Sequence, residues 1–221
     1  DIVEDKGIEI LDFVIDKITE SKYFDGFPII SQVLGVIKAV RVIPNYLYAK
    51  KTCAFLDGII ADNMDCDTFS KAMKELNQNS KKFEEELLFL IEKAENTQKA
   101  KLLGYFTRLF ALRCISYDDY IFYTNVINNT QILFLNQFSD MYTDFSKLKN
   151  SNIYNVLSAQ GLIVNTNAQM SIDEVPLLFE TDLSPSAKKL AKFLKDSFSL
   201  AYPDLEGDCL ADNTCLSLSL V

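Results

Sequence analysis

Through the first two thirds of this chain, apolar residues recur at helical and not at strand spacing. Ile10, Leu11, Val14, Ile15 and Ile18 share one face of a 3.6-residue repeat, with acids and lysines between them, which predicts an amphipathic helix up to Glu20. The run from Tyr23 to Phe27 breaks it, and Pro28, suited to a first helical position, opens a second helix that should end before Pro44. A third is expected from Tyr46 to Ile60, with Tyr46, Leu47, Phe55, Leu56, Ile59 and Ile60 as its core face. Asp67 and Thr68 can cap a short helix to Asn77, and Ser80 a further one bearing Phe83, Leu87, Leu88, Leu90, Ile91 and Ala94. Thr97 opens the next, along Ala100, Leu103, Phe106, Leu109 and Phe110. Ser116, followed by Asp118 and Asp119, marks another start, because acids in a first turn suit the helix dipole. That helix runs toward Tyr142 unless Asn128-Asn129-Thr130 kinks or divides it.

Beyond residue 150 the pattern changes. A helix from Asn152 ends at Gly161, a natural left-handed cap, and Leu162-Ile163-Val164 follows as a short strand. Leu177 to Thr181 reads as a second strand, and Ser184-Pro185 supplies a cap and a first-turn proline for a helix to Leu200. The tail from Cys215 to Val221 alternates as a strand would. The expected fold is mainly α. Residues 1–145 form a multi-helix bundle, residues 146–205 a helix-hairpin-helix unit packed on it, and residues 206–221 a tail.

Composition narrows the chemistry. Hydrophobic residues make up 48% of the 221 positions and charged ones 24%, so the chain should fold around a real core. The formal charge of -9 and the presence of only three arginines (Arg41, Arg108, Arg113) disfavour nucleic acid as a partner. The five cysteines include no C-x-x-C pair, which favours reduced thiols and a cytoplasmic setting, although Cys209 and Cys215 are close enough to close a small loop. Cys114, between Arg113 and Ile115, is expected to be a buried small hydrophobe. There is no histidine, which removes Ser-His-Asp and Cys-His catalysis and His-ligated metals. The seven glycines build no phosphate-cradling motif. Asp62, Asp65 and Asp67 lack the glycine and closing glutamate of a calcium loop and read as a helix-capping turn. No catalytic residue, cofactor or metal site is expected, and the chain reads as a non-enzyme.

Two surfaces remain. The stripe Ile29, Ile30, Val33, Leu34, Ile37 and Val40, with Lys38 and Arg41 beside it, is either a core helix or a surface for a protein partner or for peripheral membrane contact. The second is the segment from Asn152 to Leu200. Its "LSAQGLIV", hairpin and "LSPSAKKLAKFL" resemble the end of a winged-helix unit, with Ala187 where that pattern has glycine. Six lysines (147, 149, 188, 189, 192, 195) stand against six acids between Asp144 and Leu200, without the basic excess of a duplex reader.

Three passages, "FPIISQVLGVIKAVR", "KKTCAFLDGI" and "KAKLLGYFTRLFALRCISYDDYIFYTNVI", resemble a loose group of bacterial proteins associated with prophages and phage defence, and the wing-like end is similar to the abortive-infection alpha group. The resemblance implies a defence or phage-associated role and brings no catalytic residues with it. The expected function is therefore non-enzymatic binding of another protein. A membrane-acting abortive-infection effector using residues 29–40 and an acidic winged-helix transcription regulator are the alternatives, and homo-oligomerisation stays open.

Overall fold

The computed structural model describes residues 43–59, 71–72, 74, 81–167 and 180–201. The chain is mainly helical: eight helices with defined bounds and one two-stranded sheet account for most of the described residues. The chain divides into two compact units between Asn128 and Asn129.

In the first unit, α1 spans Ile43–Ile59, α2 Lys81–Lys93, α3 Thr97–Ala111 and α4 Tyr117–Asn129. α1 starts three residues before the expected Tyr46, because Pro44 falls in the first turn, where its missing N–H is no loss. Asn96 caps α3 by accepting a bond from the Lys99 N–H, and Ser116 caps α4 through Asp119. α3 packs most extensively on α1. Phe55, Leu56 and Ile59 of α1 are buried, as are Leu87 and Ile91 of α2. Leu47, expected in the core, is 59% exposed instead. Its position on the wheel lies across α1 from the row Thr52, Phe55, Leu56 and Ile59, so the register that buries those four turns Leu47 outward. Between α3 and α4, Phe110 stacks on Tyr120 with ring centroids 4.9 Å apart, and Phe83 of α2 tilts against both rings.

Two glycines set how closely α1 and α3 approach. A Cβ built on Gly58 would overlap the Lys101 carbonyl oxygen, and one built on Gly104 would overlap the Phe55 carbonyl and stand 3.2 Å from the Gly58 Cα. Each helix thus runs its backbone directly against the other. Glycine inside a helix ordinarily costs about 1 kcal/mol relative to alanine. Here it allows a contact that no side chain would permit.

The turn after α3 is a Schellman motif, with Cys114 N–H donating to the Leu109 carbonyl and Arg113 N–H to Phe110. Arg113, not glycine, takes the left-handed position at φ 59. Cys114 is partly exposed, not buried, because this tight turn carries it off the end of the helix.

The long helix that could have reached Tyr142 is divided. α4 ends at Asn129, and Gln131 is extended ahead of the next helix. In the second unit, α5 spans Ile132–Met141, α6 Phe145–Lys149 and α7 Tyr154–Ala159; β1 spans Ile163–Asn167, β2 Glu180–Leu183 and α8 Pro185–Ala201. β1 and β2 are antiparallel, pairing Ile163 with Leu183 and Val164 with Asp182. α8 packs on α5. Asp144 caps α6 through Lys147, and Gly161, at φ 71, ends α7. Ser184 caps α8 by accepting from the Ala187 N–H, with Pro185 in the first turn. Ser184 N–H also donates to the Leu162 carbonyl, which ties the entry of α8 to the exit of α7.

Candidate interaction site

The stripe of Ile29, Ile30, Val33, Leu34, Ile37, Lys38, Val40 and Arg41 lies outside the described residues, as do Cys209 and Cys215. In the first unit, by contrast, three cations each hold a helix end.

The last carbonyls of a helix have no partner within it and form the negative end of its dipole, so a cation from elsewhere is well placed to receive them. Lys51 of α1 donates from Nζ to the carbonyls of Glu92 and Ala94, at the end of α2, at 2.7 and 3.0 Å. Lys99 of α3 is fully buried and donates to the Asn128 carbonyl at the end of α4, at 3.0 Å, while pairing with Glu95 at 2.9 Å. Arg108 of α3 donates to the Ile59 carbonyl at the end of α1 and lies over the Tyr105 ring, 4.9 Å from its centroid. Burial holds the Arg108 guanidinium below its usual range, opposed by Tyr105 and Cys114, and lowers Lys51, opposed by Glu92. Tyr120, buried beside the Thr107 hydroxyl at 3.2 Å, is held above its ordinary value by desolvation. Burial likewise pushes the Cys53 thiol up to about 12, so at neutral pH it is a thiol donating to the Ala49 carbonyl and not a nucleophile.

On the second unit the arrangement is the reverse. α8 buries Ala187, Leu190, Ala191 and Leu194 on one face. Its opposite face carries Lys188, Lys189, Lys192 and Lys195, all exposed. Lys188, Lys192 and Lys195 stand at i, i+4 and i+7, one above another along the helix, with Lys189 beside them. Lys188 is tied to Asp182 of β2 at 2.7 Å. Lys189, Lys192 and Lys195 make no ion pair among the described residues. Asp196, at the edge of the row, is raised by burial and pulled back by Lys192 and Lys195.

The lysines are countable in the sequence, but what matters is their separation from the apolar positions. Projecting residues 185–199 on a helical wheel shows it. The cation caps Lys51, Lys99 and Arg108 leave no such trace, since each depends on which helix end lies opposite. Among the described residues no helix is long and apolar enough to cross a membrane. No family model matches the chain, and neither a curated protein nor a solved structure matches it.

Proposed function

We propose that this protein acts by binding another protein, in a bacterial host or phage, and not by transforming a substrate. The observation that carries this reading is the outward lysine face of α8, on a helix whose apolar side is already packed. Lys51, Lys99 and Arg108 of the first unit are by contrast bonded to helix carbonyls. The test is affinity capture from a bacterial lysate, followed by reconstitution of the complex from purified components in a calorimeter. A complex of fixed stoichiometry is expected. Turnover of a substrate that is abolished by one acidic or thiol substitution, or failure of every captured protein to re-form a complex, overturns the reading.

The element order favours a second reading. Three helices, α5 to α7, are followed by the β1–β2 hairpin and then α8, with Gly161 and Ser184-Pro185 at the joints. This is the order of a winged-helix unit, and it supports an acidic winged-helix regulator. Duplex binding measured over a salt series decides it, since affinity for DNA falls steeply as salt rises.

A further inference from the structure

We infer that the break between α4 and α5 is a two-state joint with Lys99 as its latch. While Lys99 holds the Asn128 carbonyl the helices stay separate, and once that carbonyl is released residues 130–131 join them into one helix. This goes beyond the protein-binding reading and does not depend on it.

Only Thr130 and Gln131 separate α4 from α5, and neither is a proline or a glycine. The pattern of apolar positions does not register the break. Projected on a single helix, the fully buried Tyr120, Tyr123 and Ile127 of α4 and Leu135 and Phe138 of α5 share an arc of about 120°, at 3.6 residues per turn. Local chemistry does not favour the break either. Gln131, at the N-cap of α5, makes no side-chain cap bond. The side-chain amide of Asn128 and the hydroxyl of Thr130 are buried without a hydrogen-bond partner among the described residues. Such groups lose the hydration they had in the unfolded chain and receive nothing in exchange.

What opposes continuation is specific. In an unbroken helix the Asn128 carbonyl accepts from the Ile132 N–H, four residues on. Here that carbonyl accepts instead from the Nζ of the fully buried Lys99, at 3.0 Å, and Glu95 steadies the ammonium at 2.9 Å. The lysine thus takes the acceptor that the next turn needs. In the continuous form the Thr130 hydroxyl gains the Val126 carbonyl. Thr52, Thr107 and Thr124 already make that bond, each to the carbonyl four residues before it. The same residues therefore have a second arrangement that satisfies the threonine and closes the backbone ladder.

The test is the carbon chemical shifts of residues 129–132, measured by NMR on the full chain. The parent should show Gln131 extended, as its ψ of 142 requires. Lys99→Met should move Thr130 and Gln131 to helical shifts, whereas Lys99→Arg, which keeps the cation, should leave them extended. Lys99→Met/Gln131→Pro should restore the break, because proline suits the φ of -62 at Gln131 but not a helix interior. Extended or random-coil shifts in folded Lys99→Met, or helical shifts that survive the proline, overturn the inference and leave Lys99 a cap alone. Should Lys99→Met not fold, relaxation dispersion on the parent decides. A minor state with helical shifts at Gln131, abolished by Gln131→Pro, is expected there, and flat profiles overturn the joint.

Discussion

In the first unit, the ends of α1, α2 and α4 are closed by Arg108, Lys51 and Lys99, side chains 29 to 49 residues away in sequence. In the second, Asp144, Gly161 and Ser184 close α6, α7 and α8 from within a turn. The difference concerns when each helix becomes complete. A local cap forms with its helix, as those of Asn96, Ser116 and the Arg113 turn do in the first unit too, whereas a cap delivered from another helix forms only once the two have packed, so three helix ends of the first unit are tied to tertiary assembly. The second unit can specify its elements one at a time, and it leaves its lysines free for the outside.

The sharpest way to break this comparison is at the α1–α3 crossing. Gly104→Ala should gain about 1 kcal/mol from helix propensity and lose about 3 kcal/mol from overlap with the Phe55 carbonyl, for a net loss of about 2 kcal/mol. Hydrogen exchange followed by mass spectrometry should find α1 and α3 deprotected and the β1–β2 hairpin unaffected. A stabilised protein would mean that the crossing is not as close as described.

Next in size is Lys99→Met, which keeps the buried stem and removes the bond to the Asn128 carbonyl. Glu95 is 61% exposed, so the ion pair contributes little, and the loss should be about 2 kcal/mol from the charge-assisted hydrogen bond, measured by urea unfolding. A gain in stability would show that desolvating the ammonium outweighs the cap it provides.

Ser184→Ala tests the other side. Removing this cap should cost about 1 kcal/mol and raise exchange only in the first turns of α8, without reaching the first unit.

The smallest effect is pH-dependent. The Asp182 carboxyl is held below its ordinary value by the bond from Lys188 and then by the Leu183 N–H. A carboxyl lowered by folding stabilises the fold above its unfolded pKa, and that contribution fades as pH falls through the lower, folded value. Asp182→Asn should therefore be slightly less stable than the parent at pH 7 and equal to it at pH 2, by thermal unfolding. A difference that persists in acid would assign the effect to packing and not to charge.

What the sequence could foretell follows the difference between local and delivered caps. Gly161, Ser184-Pro185 and Ser116 with its two aspartates announce their caps within four residues, and all three stand where that chemistry places them. The break after Asn129 is legible as an alternative in Asn128-Asn129-Thr130, and the hairpin in the apolar runs that flank it; of the expected second strand, residues 180–181 are strand, continuing to Leu183, and residues 177–179 lie outside the described residues. Leu47 misled because hydrophobicity alone does not say which way a helix turns. Nothing in the sequence separates Lys99 from a solvated lysine on a helix. Its burial depends on the end of α4 lying opposite, and a spacing rule holds no information about that. The lysine face of α8 lay between these cases, legible in its periodicity once the packed side was known.

The bare crossing of α1 and α3 also leaves a mark that outlasts sequence drift. Exchanges among leucine, isoleucine and phenylalanine can erase nearly every other resemblance between diverged descendants, because such cores repack. Gly58 and Gly104 are not exchangeable in that way: neither can change unless the two backbones part. A distant cousin of this chain should be recognisable by two glycines set deep in neighbouring helices, even where little else aligns.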